Sequence, residues 1–335
     1  MKSKVVVECM KIGNVTLKHG LWLAPMAGYT DRAMRLVCRE QGAEYTVSEM
    51  VSAKATVFGD KKTFALARIL PDEGPVAVQI FGSEPDIMAR AAEILSHPTE
   101  GVRPAAIDIN MGCPVHKIFS NGEGSALMRS PELINEIVSS VKGATDLPVT
   151  VKLRAGIDDS HINAVECALA AEDGGADIIC IHGRTRVQMY GGSADRNIIK
   201  NVKKALHIPL IANGDILSGE DALSMLRDTN ADGIAIGRGA VGNPFIFSEV
   251  LAALNGDAYA PPTLEEQINI AIRQLSVAVE DKGERVAIPE ARKQIALYLR
   301  GFRGAAAIRA RINAAMTLDA ARDALLTALE QKGDI

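Results

Sequence analysis

The sequence lacks the features that would place it in a membrane or in an oxidising compartment. No stretch of its 335 residues approaches the roughly 18–20 unbroken apolar residues that cross a bilayer. The N-terminus, Met1 to Val15, carries Lys2 and Lys4 ahead of a Val5-Val6-Val7 run, which is too short for a secretory signal core. Cysteine is scarce: five residues, at 9, 38, 113, 167 and 180, with no Cys-x-x-Cys pair. An odd number so spaced argues against a disulfide framework and against a structural zinc site, so no metal is expected. The formal net charge is only −4, which by itself speaks against a nucleic-acid partner. These absences lead to the expectation of a cytoplasmic protein.

What is present is a large core and a regular alternation. Hydrophobic residues make up 47% of the chain. Between residues 21 and 240 eight short apolar runs (21–26, 45–50, 75–82, 105–112, 148–154, 177–183, 209–214 and 233–238) alternate with longer segments. Segments such as 86–96, 131–142 and 163–173 have the 3.6-residue apolar spacing of helices. Ser130-Pro131 and Ser83-Glu84-Pro85 supply helix-start signatures. Strands alternating with helices imply parallel βαβ units. Eight of them in about 230 residues predict a (β/α)₈ barrel of the TIM type, with a doubly wound sheet as the alternative. Residues 12–17 read as a small hairpin that plugs the barrel floor. After Ala258 the texture changes. The Ala260-Pro261-Pro262-Thr263 linker precedes helical segments at 264–281, 289–301, 305–316 and 318–331. The expected division is a barrel over 1–258 and a C-terminal helical bundle domain over 259–335.

The C-terminal ends of barrel strands carry the site in this architecture. Here they are Pro25-Met26-Ala27, Ser48-Glu49, Gln79, Asn110-Met111-Gly112-Cys113, Lys152 with Arg154, His182 with Arg184, Asn213-Gly214-Asp215 and Gly237-Arg238. The glycine turns after strands seven and eight, followed by helices at Ser218 and near Val241, suit a phosphate, with Arg238 as a charged clamp. Lys152 shares a face of its strand with Thr150 and Arg154, and an inward lysine calls for an anion. Reduced flavin, negative on its pyrimidine edge, would suit it. His182 and Gln79 read as ligands of the same group. Cys113, held before Pro114 in what reads as an exposed turn, is expected to serve as a general acid, since an ordinary thiol is protonated at neutral pH. His116 is expected to face solvent. Cys38, Cys167 and Cys180, set among apolar residues, read as core.

The segments 23–31 (LAPMAGYTD), 78–82 (VQIFG), 108–114 (DINMGCP), 151–154 (VKLR), 181–185 (IHGRT), 213–215 (NGD) and 237–239 (GRG) occur together and in order. With Lys117 and Gly124-Ser125-Ala126-Leu127-Met128, they resemble the tRNA-dihydrouridine synthase family, and within it the bacterial B-type branch, from about residue 12 to 315. The resemblance implies reduction of the C5–C6 double bond of selected tRNA uridines. NADPH reduces FMN, hydride passes from flavin N5 to uracil C6, and a cysteine protonates C5. It implies Cys113 as that cysteine; Pro25, Met26, Ala27, Gln79, Lys152 and His182 on the flavin; and Asn213, Gly214, Asp215, Gly237 and Arg238 on its phosphate. Asn110 and Arg184 are candidates for positioning the uracil.

The base must be flipped out of the folded tRNA to reach such a site. From Arg285 to Arg311 seven basic residues stand against one acid, Glu290, a net of about +6 in 27 residues. This face, with Arg292, Lys293 and Arg300, is expected to grip the tRNA backbone. Two positions depart from the branch: Gln294, where a histidine is frequent, and Leu297, where a tryptophan is; neither is expected to touch the chemistry. A monomer is expected. Rival readings are a dihydroorotate dehydrogenase-like FMN enzyme acting on a free pyrimidine, and a non-catalytic RNA-binding protein on the same barrel.

Overall fold

The computed structural model describes residues 7–330. Residues 1–6 of the N-terminal stretch, and 331–335 at the end of the helical region, lie outside the described residues.

Eight parallel strands close on themselves. A short antiparallel hairpin comes first, β1 (Met10–Ile12) with β2 (Val15–Leu17). The barrel strands are β3 (Leu21–Leu23), β4 (Tyr45–Val47), β6 (Val76–Phe81), β7 (Ala106–Asn110), β8 (Val149–Arg154), β9 (Ile178–His182), β10 (Leu210–Asn213) and β11 (Gly233–Ile236). Each pairs in parallel with its neighbour, β11 pairs with β3, and β4 with β6, so no edge is left open. The second predicted run, 45–50, is shorter than expected. It breaks after Val47, where the Ser48 hydroxyl accepts the Gln79 N–H, and resumes as β5 (Val51–Ser52) beside the end of β6.

Apolar side chains on the outer faces of the strands meet the surrounding helices in one continuous core. A second cluster fills the lower barrel interior, where Met10, Ile12 and Leu17 of the hairpin pack with Trp22, Tyr45 and Ala106. The hairpin therefore plugs the floor, as its sequence suggests. The upper interior is polar. Period-two geometry turns Gln79, Asp108, Asn110, Thr150 and Lys152 inward, and the register sets Gln79 beside Asp108, Asp108 beside Thr150 and Asn110 beside Lys152.

The chain then continues through helices at Leu264–Lys282, Glu284–Ile295, Ala305–Ala314 and Leu318–Glu330. A Thr263/Glu266 capping box starts the first. The second begins five residues before the predicted start, because Gly283 breaks the chain at φ +73 and the helix runs through Pro289. Pro289 stands at the sixth helical position, where it removes the N–H that would otherwise bond the Arg285 carbonyl. These helices enclose a core of their own around Ile268, Leu275, Ile295, Leu299 and Ile308. They hold to the barrel through Ala33, Leu36, Val277 and Ala287, and through the ion pair of Lys282 with Asp31 at 2.7 Å.

Candidate active site

A cavity of about 770 Å³ opens at the C-terminal end of the barrel strands, within the usual range for a cofactor site. Its apolar floor is formed by Ala24, Pro25, Met26 and Ala235, and its polar wall includes Gln79, Asn110, Lys152, His182 and Asn213. Gly214, Asp215, Gly237 and Arg238 line its far side. Ala27 and Cys113 line it as well. Of the fourteen barrel residues to which the resemblance gives a role on flavin, phosphate, uracil or proton, thirteen thus share one cavity, Arg184 being the exception.

Cys113 sits deeper than its sequence context suggests. It is buried, with 9% exposure, rather than in an exposed turn, although it lines the cavity. Three contacts fix it. Asn110 Oδ1 accepts its N–H at 2.9 Å, and its carbonyl accepts from the Ser125 hydroxyl at 2.7 Å and the Ser125 N–H at 3.2 Å. Gly124, at φ +60, allows that close approach; a Cβ there would lie 2.9 Å from the Cys113 Cβ. Burial pushes the thiol above its ordinary value, against the opposing pull of the Val115 N–H and Arg154. A thiol so placed keeps its proton at neutral pH.

Lys152 is half-buried, and its Nζ donates to the neutral Asn213 Oδ1 at 3.0 Å. Burial lowers its pKa. His182 is driven well below its usual value, first by burial and then by Lys152, Arg154, Arg184 and Arg238, and so stays neutral. Among the described residues no carboxylate pairs with Lys152, and the one carboxylate lining the cavity, Asp215, is already held by arginine. A cavity with an apolar floor, a neutral histidine and a lysine that no carboxylate bridges suits a flat aromatic group with negative charge at one edge. The residues present therefore fit a flavin.

The turn after β10 is built for close approach. Gly214 has φ +131, and a Cβ there would stand 2.5 Å from the Ala194 Cβ, so only glycine fits. Asp215 follows at φ +52; its carboxylate takes the Ala194 N–H at 2.8 Å and pairs with Arg184 at 2.8 Å and Arg238 at 3.4 Å. Its side chain thus steers two arginines, and only its backbone is left for an anion. After β11 a single 3₁₀ turn covers Arg238–Ala240, and the helix expected near Val241 begins at Ile246.

Arg184 does not do what its position in the sequence suggests. It is 2% exposed and does not line the cavity. Its guanidinium is spent on the Gly191 and Gly192 carbonyls and on Asp215, which pins the loop after β9. Arg154 lines the cavity wall and ties the same loop: its Nε donates to the Gly112 carbonyl at 2.7 Å beside the Cys113 turn, and its Nη1 to the Thr185 and Met189 carbonyls at 2.8 and 3.1 Å. Burial lowers its pKa to about 10, which still leaves it charged at neutral pH.

The dihydrouridine synthase (Dus) family profile matches residues 22–332. tRNA-dihydrouridine synthase B of Pasteurella multocida is 40% identical over 307 residues, covering 91% of each chain. tRNA-dihydrouridine synthase B of Shewanella oneidensis is 42% identical over 291 residues, covering 87% of this chain and 89% of that one. The chain belongs to the dihydrouridine synthase family. Among solved structures, morphinone reductase shares the fold at a TM-score of 0.53 and 13% identity, covering 79% of this chain and 93% of that one.

For a dihydrouridine synthase, the helical region lies closer to the cavity than the sequence implied. Leu297, expected to stand clear of the chemistry, lines the cavity together with Arg300. Gln294 is buried and donates to the Tyr29 carbonyl at 3.2 Å. Lys293 lies over the Tyr29 ring, 4.6 Å from its centre, at the barrel rim. Arg292, expected on the RNA-facing side, turns inward: its guanidinium donates to the Ala315 carbonyl at 2.7 Å, and its Nε is buried without a partner. Arg285, Arg303 and Arg311 are exposed. Glu290, the one acid of the stretch, is neutralised by Lys282 at 2.9 Å. His116 is exposed, and Cys38, Cys167 and Cys180 are buried.

Sequence reasoning placed Arg154 at its strand end without a role, held Ser125 and Asp108 only inside motifs, and passed over Tyr190. The alternation that marked Lys152 marked Arg154 as well, and its charge could have assigned it to the cavity. Tyr190 comes from the loop after β9, where no periodicity operates, and it stacks near Arg238 at 5.0 Å.

Proposed function

We propose that this chain reduces the C5–C6 double bond of particular uridines within tRNA to 5,6-dihydrouridine, with FMN as its bound flavin and NADPH as the external reductant. The observation that carries the reading is a buried thiol, Cys113, raised above its ordinary pKa by burial and fixed in the wall of a cation-lined cavity at the barrel mouth.

In this reading Pro25, Met26 and Ala27 pack the ring, while Gln79, Lys152 and neutral His182 meet its polar edge. Asn213, the Gly214-Asp215 backbone, Gly237 and Arg238 hold the phosphate. Bound flavin supplies the hydride for uracil C6. Cys113 Sγ gives the proton to C5 and is reprotonated from solvent. Asn110 keeps that thiol in register, and Arg154, which lines the cavity where Arg184 does not, is the charged group nearest a pyrimidine carbonyl, to be met by Nη2 since Nε and Nη1 already serve the Gly112, Thr185 and Met189 carbonyls. The cavity also excludes bulk water from the reacting carbons once the flipped base enters.

The helical region, drawn as a domain over 259–335, holds the tRNA backbone through Lys293, Arg300 and the exposed arginines beyond them, and the protein works as a cytoplasmic monomer. No helix among the described residues is long and apolar enough to cross a membrane.

The test is nucleoside mass spectrometry of tRNA lacking the modification, incubated with the yellow protein and NADPH. A gain of two hydrogens on uridine at a defined position supports the reading. Unchanged tRNA, with free pyrimidines reduced instead, would replace its substrate.

A further inference from the structure

The inside of the barrel holds a carboxylate that the chemistry above does not use. Asp108, on β7, is 2% exposed and does not line the cavity. Its Oδ2 accepts from Gln79 Nε2 at 2.6 Å, and its Oδ1 accepts from the Thr150 hydroxyl. Gln79 Oε1 in turn accepts from Asn110 Nδ2 at 2.8 Å. Asn110 Oδ1 accepts the N–H groups of Gly112 and Cys113, at 3.2 and 2.9 Å.

We propose that Asp108 is a positioning residue, whose carboxylate sets the direction of a Gln79–Asn110 relay and so fixes the turn that carries the Cys113 thiol.

Donors and acceptors fix the direction of the relay. A side-chain amide can face either way, and two in series would ordinarily leave the direction open. Here both ends are fixed. An ionised carboxylate only accepts, so Gln79 must turn its NH₂ towards Asp108 and its oxygen towards Asn110. Backbone N–H groups only donate, so Asn110 must turn its oxygen towards Cys113 and its NH₂ towards Gln79. One orientation satisfies all five hydrogen bonds, and its reverse breaks the bonds at both ends. In a buried network an unsatisfied group is costly, which is what makes the direction strict. Gln79 therefore cannot flip to suit a ligand, and Asn110 cannot release the Cys113 N–H without disturbing Gln79.

The charged and titratable groups around Asp108 come from neighbouring strands: Lys152 on β8, Tyr45 on β4 and Cys180 on β9. Lys152 favours the ionised carboxylate, while burial opposes it. The consequence for catalysis rests on the reading of Cys113 as proton donor; the consequence for the turn does not.

The test is therefore made on the thiol as well as on the reaction. The full-length protein is treated with iodoacetamide across a pH series, and alkylation of Cys113 is followed by peptide mass spectrometry. Asp108→Leu, which removes the accepting end, is expected to raise the Cys113 alkylation rate about fivefold or more as the turn loosens. Asp108→Asn should restore the wild-type rate, because the new amide can accept from Gln79 while Thr150 rotates its hydroxyl to accept the new NH₂. On tRNA, Asp108→Leu should lower kcat while KM is held. If Asp108→Leu does not accumulate as folded protein, Gln79→Met breaks the relay one step nearer the thiol and must raise the alkylation rate in the same way. A Cys113 rate within about twofold of wild type in these folded variants, or an Asp108→Asn rate as high as that of Asp108→Leu, overturns the proposal. If the alkylation pattern holds while no uridine is reduced, the relay stands and the proposed reaction fails.

Discussion

Asn110 Oδ1 accepts the Cys113 N–H at 2.9 Å, so the residue bearing the thiol is tied to the end of the strand three positions before it. A proton donor needs this kind of fixed geometry, and removing the donor should separate two half-reactions. Cys113→Ala is expected to keep its yellow colour and NADPH oxidation but to lose dihydrouridine formation by roughly 10²-fold or more. Burial holds the thiol above its ordinary value. The alkaline loss of uridine reduction in the wild type should accordingly fall above the ordinary thiol range, as read from a pH–kcat profile. Equal turnover on tRNA by Cys113→Ala would remove the residue from the mechanism.

Asp108 should cost the folded state at neutral pH. Burial raises its carboxyl from 3.8 to about 6, against the pull of Thr150, Gln79 and Lys152. The folded protein therefore holds this proton more tightly than the unfolded chain does. The benefit is complete below about pH 4 and is lost as the pH rises through 6. Asp108→Asn has no charge to bury, so its stability relative to wild type should rise across that window by roughly 2–3 kcal/mol. Denaturant melts at pH 4, 5, 6 and 7 would show it; a difference that does not change with pH would mean that Asp108 titrates normally.

Arg184 should behave as a structural residue. With its guanidinium joined to Gly191, Gly192 and Asp215, Arg184→Met leaves two carbonyls without their partner and Asp215 with only the Ala194 N–H and Arg238. A loss of roughly 2 kcal/mol or more in stability is expected, with protease sensitivity gained in the loop after β9. A variant of wild-type stability with a raised KM for tRNA would instead place Arg184 on the substrate.

The basic residues of the helical region should divide into two kinds. Lys293 and Arg300 are exposed at the rim, and replacing either by Ala should weaken tRNA binding and reduce the salt slope by about 1. Arg292 is committed to the Ala315 carbonyl, so Arg292→Ala should lower the melting temperature more than it lowers the salt slope. Filter binding at several salt concentrations, alongside thermal melts, distinguishes them. Equal salt effects from all three would mean that Arg292 leaves its internal partner when RNA arrives.

The sequence by itself determined the eight-strand alternation, the hairpin in the floor, the helical C-terminal region and the strand ends that converge on one cavity. Each of these follows from local periods and breaks: alternation of two along strands, 3.6 along helices, and glycine or proline at the turns. What it could not decide was where long side chains spend their hydrogen bonds. Arg184 and Arg154 both stand at the ends of barrel strands and read alike, and both tie the loop after β9, yet only Arg154 also lines the cavity. Arg292 and Arg300 stand on one basic stretch, yet one turns into the bundle and the other towards the barrel mouth. Leu297 reaches the cavity only because the helical region packs against the Asp31–Glu40 flank of the barrel. These outcomes depend on partners far away in the chain, such as Asp215, Ala315 and Tyr29, and no local pattern encodes which distant group will be there. Asp108 was hidden for the same reason: its role exists only once Gln79, Asn110 and Thr150 are brought beside it by the register of three strands.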